Sequence, residues 1–198
     1  MSSEYIVGTV TGIVATGFGF LLSTFYEENR RKKEVRVASQ KTISLLINEL
    51  KDNLEIAQNN LNLVIQNEIS LNQNSFVINS LALFQDSGWR LSQANGFCTS
   101  IGNDDFKFLA ETYLRLSYGN AQINARENYR TTNISELPFS RVLAGFDKTL
   151  KESFDYDTKQ IEKAILKLQE IQKKQSIPRK FTWMPFPQEV DRTLLCFI

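Results

Sequence analysis

The chain has 198 residues, 23 Lys and Arg against 22 Asp and Glu, a net charge of +1 and no histidine. Near-neutral charge excludes a global electrostatic attraction for nucleic acid. The lack of imidazole removes Ser-His-Asp and Cys-His nucleophile systems, histidine general bases, His-ligated metal sites and HD-type phosphohydrolases.

Residues 5–26, YIVGTVTGIVATGFGFLLSTFY, form an uninterrupted uncharged run. About 20 apolar residues cross a bilayer core at 1.5 Å rise each, so the run predicts a single membrane-spanning helix, an anchor over 1–26. Before it stands one acid, Glu4, and no base, which argues against a cleaved signal peptide. After it come Arg30, Arg31, Lys32, Lys33 and Arg36. By the positive-inside rule these set the topology, with the N-terminus outside and the remainder cytoplasmic on the inner membrane. They also suit anionic headgroups. Within the run, Gly8, Gly12, Thr16, Gly19 and Ser23 recur at three- and four-residue steps on one face. Small residues let membrane helices approach closely, so this face predicts a homo-oligomer.

Residues 27–42 contain neither Pro nor Gly and read as a basic juxtamembrane stalk that can continue the anchor helix. From 43 to 176 the spacing predicts an all-α bundle of long antiparallel helices. Its first helix carries Ile43, Leu46, Ile47, Leu50, Leu54, Leu61, Val64 and Ile65, with Lys, Asp, Glu and Asn on its other faces, and ends at a polar break over 70–75. Phe76, Leu81, Leu83 and Phe84 lead into a turn at 86–89. A short helix through Trp89, Leu91 and Ala94 follows, stopped at Asn95 and Gly96.

After a loop at 99–103, Asp104 and Asp105 open a helix through Phe106, Leu109, Tyr113, Leu116, Asn120 and Ile123 to about Tyr129. A loop over 131–136 and Pro138 precede the last helix, from Val142 through Phe154 to Ile171, with a kink expected near 155–157. The tail 177–198 holds Pro178, Pro185 and Pro187 among Phe181, Trp183, Met184, Phe186, Leu194, Leu195, Phe197 and Ile198, too apolar to stay free, and is expected to dock on the bundle.

The stretch GWRLSQANGFCTSIGNDDFKFLAETYLRLSYGN, through Trp89, Leu91, Gly96, Tyr113, Leu116 and Asn120, resembles a segment of small bacterial single-span membrane-anchored helical proteins of unknown function. The resemblance covers about a sixth of the chain. It implies a bacterial cytoplasmic helical module behind an anchor and brings no activity with it.

Chemistry-bearing motifs are absent from the sequence: no Walker loop, dinucleotide-binding turn or CxxC pair occurs, and Cys98 and Cys196 have no metal-site spacing. The chain is read as no enzyme, with no catalytic residue, metal or cofactor. Asp104, Asp105, Glu111, Asp147, Asp155 and Asp157 do not gather into an acidic cluster in the sequence. Should a ligand site exist, Trp89, Arg90, Tyr113, Asn120 and Asn124 supply an aromatic face, a cation and amides of the kind a small nucleotide needs.

The expected function is a membrane-anchored interaction, scaffold or sensing module with a protein partner or small nucleotide on its cytoplasmic domain. The alternative is a membrane-perturbing effector of bacterial antiviral defence that responds to such a signal.

Overall fold

The computed structural model describes residues 3–72, 78–97, 101–132 and 139–176, with side chains from residue 15 onward, Asn72 aside. The tail, Phe76, Cys98, Cys196 and Pro138 lie outside these residues. The described chain is all-α, with four helices: α1 (Ser3–Asn72), α2 (Ser87–Ala94), α3 (Asn103–Thr132) and α4 (Phe139–Ser176).

Stalk and first bundle helix are one piece. No Gly or Pro follows Gly19 before Asn72, so nothing interrupts the ladder of α1 over its 70 residues. The polar break expected over 70–75 therefore begins no earlier than 73. Burial starts at Ser39, and from there two heptad columns face inward: Ile43, Leu50, Ala57 and Val64 in one, Leu46, Asn53, Asn60 and Asn67 in the other.

Helix α4 runs antiparallel to both α1 and α3. Gln172 bonds Ser44 while Lys151 pairs with Glu68, and Lys167 pairs with Asp105 while Arg126 pairs with Asp147. Helix α4 runs unbroken through 155–157, where Asp157 sits in the buried stripe and accepts from Arg115 and Ser153. Thr131 and Thr132, expected in a loop, instead end α3 by returning their hydroxyls to the carbonyls of Glu127 and Asn128.

The remaining side of the bundle is closed by an extended strap, residues 78–86, which lies between α1 and α3. It stands where a four-helix bundle would place its second helix. Nine extended residues cover about 30 Å, the rise of about 20 helical ones, so a short strap spans the same height. Leu81 and Phe84 point into the core, Phe84 meeting Phe154 edge-on at 6.1 Å. Ser80 and Leu83 face outward.

Candidate functional site

Main-chain groups in an extended segment need partners, and here helix side chains supply them. Asn53 takes both the N–H and the carbonyl of Gln85 at 2.7 Å. Asn60 does the same for Ala82 at 2.7 and 2.9 Å, and Asn67 for Asn79 at 3.3 and 2.8 Å. From α3, Asn120 holds Phe84 at both groups, 2.7 and 2.9 Å, and Glu127 accepts from Leu81 at 3.3 Å.

The register follows from arithmetic of the two conformations. Seven helical residues rise about 10.5 Å and three extended residues about 10 Å. A heptad column of amides therefore meets every third residue of an antiparallel strap.

At its C-terminal end the strap enters α2 at Asp86, which makes no side-chain cap of its own. The expected turn at 86–89 is instead the start of a helix. The first N–H groups of α2 are received by a carboxylate from α1: Glu49 accepts from Gly88 and from Trp89, the latter at 3.2 Å, and from the Ser87 hydroxyl. A carboxylate at a helix N-terminus meets both orphan donors and the positive end of the dipole. Gly88 permits the approach, since a Cβ there would stand 2.9 Å from Glu49 Oε2.

Trp89 stacks between Tyr113, at 4.8 Å and 5°, and Phe106, at 5.4 Å and 29°. Of the five ligand candidates the structure brings Trp89 and Tyr113 together, both buried, and fills the space between them with their own rings. Asn120 is occupied by the strap. Arg90 lies exposed against Asp86 at 2.7 Å, and Asn124 is exposed. The Tyr113 hydroxyl is buried without a hydrogen-bond partner. Burial first, then the Glu49 carboxylate close by but outside bonding geometry, push its ionisation far above the usual phenol range.

Two acids and two arginines lie in the α3–α4 seam. Arg126 is fully buried, with Nε donating to Asp147 Oδ1 at 2.6 Å, Nη1 to the Asn79 carbonyl at 3.1 Å, and a close contact to Glu127. The guanidinium thus ties α3, α4 and the strap. Asp157 accepts from Arg115 at 3.1 Å and from Ser153 at 3.2 Å, and burial pushes its carboxyl above the ordinary range against the pull of Arg115. Among the described residues no three His, Cys, Asp or Glu side chains gather as a metal site.

Among the described residues no bundle face covers the stem of α1 below Ser39. Phe18, Phe20, Leu21, Leu22, Phe25 and Tyr26 are all more than half exposed, Phe20 by 73%. Gly17 and Gly19 have open space where a Cβ would stand. Next along the helix come Arg30, Arg31, Lys32, Lys33 and Arg36, of which Lys32 reaches Glu28 at 2.6 Å and Arg30 reaches Glu34 at 3.5 Å. Gly8 and Gly12 precede the residues whose side chains are described. Thr16, Gly19 and Ser23 lie on the exposed stem. Among the described residues no helix is long and apolar enough to cross a membrane, and positions 5–14 of the uncharged run are outside the side chains so described. Comparisons with protein families, curated proteins and solved structures find no match to this chain.

Proposed function

We propose that the chain is a membrane-anchored helical interaction module whose stem enters the bilayer and whose bundle presents a rigid surface above it. The observation that carries this reading is the exposed aromatic and aliphatic stem of α1, continuous in one helix with the bundle and followed, after Glu27, Glu28 and Asn29, by five bases between positions 30 and 36. In water that surface is unfavourable at about 25 cal/mol per Å² of exposed apolar area, whereas in hydrocarbon the penalty vanishes. The full uncharged run, 22 residues from Tyr5 to Tyr26, supplies the length. The cluster of bases belongs at an anionic headgroup layer. The small face of Gly8, Gly12, Thr16, Gly19 and Ser23 would bring such stems together.

Flotation and alkaline extraction of the full-length chain expressed in bacteria test the anchor. Retention in the membrane after alkaline wash is the expected result. Release into the supernatant overturns the reading and makes the stem an ordinary protein-docking helix.

A further inference from the structure

Antiparallel packing decides where α4 ends. Gln172 donates to Ser44 and Gln175 Nε2 to Ser39 Oγ at 3.1 Å, so Ser176 stands at the end of the bundle where burial of α1 stops. The residues that follow, 177–198, leave the bundle on the side of the stem. Chain length then sets what they can meet. At about 3.3 Å per residue, Arg179 and Lys180 reach about 10–13 Å beyond Ser176, and Phe181, Trp183 and Phe186 about 17–33 Å. Along the stem, at about 1.5 Å per residue, Arg30, Arg31, Lys32 and Lys33 lie about 9–14 Å from Ser39. The exposed Tyr26, Phe25, Leu22 and Phe18 lie about 20–32 Å from it.

Both segments that leave this end of the bundle carry the same order over the same distances, bases first and aromatic or aliphatic side chains beyond them. Laid directly on the stem in water, the tail would set Arg179 and Lys180 against Arg30, Arg31, Lys32 and Lys33. The nearby acids Glu28 and Glu34 already pair with Lys32 and Arg30. Like charges at one level call for an anionic third party, and a bilayer surface offers negative headgroups with hydrocarbon directly beneath. Resting on the anchored reading of the stem, we propose that residues 177–198 make a second contact with the same anionic lipid surface. Arg179 and Lys180 enter the headgroup layer, and Phe181, Trp183 and Phe186 meet the hydrocarbon boundary beside α1.

The stem alone leaves the bundle free to tilt, whereas a second contact through the end of α4 restrains it. The tail need not bind tightly for this, because the anchor holds it within reach of the surface and so supplies a high effective concentration. Its hold depends on headgroup charge, at about 1 kcal/mol for each base near the surface, while the apolar anchor is insensitive to it. The tail is therefore the part of the chain that responds to lipid composition.

Trp183 is one of two tryptophans, and the other, Trp89, is buried in the bundle at the level of Glu49, about 34 Å along α1 from Tyr26. The test reconstitutes the intact chain in vesicles of phosphatidylglycerol and phosphatidylcholine, the latter brominated high on its acyl chains to quench indoles at that depth. The expected result is a loss of roughly a third or more of the tryptophan emission, the share of one indole in two. The loss should vanish in Trp183→Phe and be about twofold or more smaller in phosphatidylcholine alone. Alkaline washing of a parallel sample reads the anchor separately. Vesicles that keep the chain through the wash yet leave its emission unchanged overturn the proposal and spare the anchor, as when the tail docks on the bundle instead. Quenching before the wash with release by it removes the anchor and upholds the tail contact. Neither quenching nor retention overturns both. Quenching that survives Trp183→Phe, or that is equal in the two lipids, also overturns the proposal.

Discussion

A single asparagine side chain offers one acceptor and one pair of donors, which is what one extended residue needs to satisfy its N–H and carbonyl. Asn60 serves Ala82 in this way from a fully buried position. Asn60→Leu would therefore leave both groups unpaired beside an apolar side chain and destabilise by about 2–5 kcal/mol, a Tm loss of roughly 4–20 °C. A melt followed by Trp89 fluorescence reads it, and an unchanged Tm would mean that water serves the strap equally well.

Asp157 makes a second residue-level prediction. Its folded pKa is raised by burial, so the native state binds its proton more tightly than the unfolded state does. Its contribution to stability is then fully present below the unfolded value of 3.8 and is lost as pH rises through the folded pKa. Asp157→Asn removes that loss, so the Tm of the variant relative to the parent should climb as pH goes from about 3.8 to neutrality. A constant difference across melts at several pH values would contradict the assignment. Arg115, half exposed and also stacked 4.0 Å over the Tyr156 ring, holds part of its position without the carboxylate.

Helix periodicity made the existence and buried faces of α1, α3 and α4 legible in the sequence. The strap was not legible, and the reason is instructive. The pattern groups Asn53, Asn60 and Asn67 with the Lys, Asp and Glu on the helix's other faces, because asparagine in isolation is polar and mostly exposed. Their seven-residue spacing in the column of Leu46 is the available signal. One buried Asn can set a coiled-coil register, and three in succession in a seam each need a partner, which here is the backbone of the strap. Asn120, expected on the buried face of α3 and also offered as a ligand candidate, takes the Phe84 peptide as its partner. Glu49, which caps α2 from 39 residues away, has no local sequence signature at all.

Gly119 tests the packing of these elements. A Cβ there would stand 3.1 Å from Phe84 Cε2, and Phe84 is fixed by Asn120 on its backbone and Phe154 on its ring. Gly119→Ala should destabilise by about 1–3 kcal/mol despite alanine's better helix propensity. A gain in Tm would show that the strap shifts freely.

On the scale of the whole molecule, the continuity of α1 decides how stem and bundle communicate. With 70 residues in one helix, any rotation or tilt imposed on the stem is carried into the seam that holds α4 and the strap. Burial begins at Ser39, so a break placed below it should separate the two without loosening the core. Val35→Pro, at an exposed position, removes one helical hydrogen bond and clashes with the carbonyl four residues back, an effect of about 3 kcal/mol confined to the stem. Spin labels at positions 29 and 55 in a cysteine-free chain should give one narrow distance near 39 Å in the parent, from 1.5 Å per residue. In the proline variant the distribution should broaden and shorten while the bundle Tm stays constant. A broad distribution in the parent would mean that the stem moves independently and that no stem motion reaches the bundle. A fallen Tm in the variant would mean that core stability extends below Ser39, into the basic segment itself.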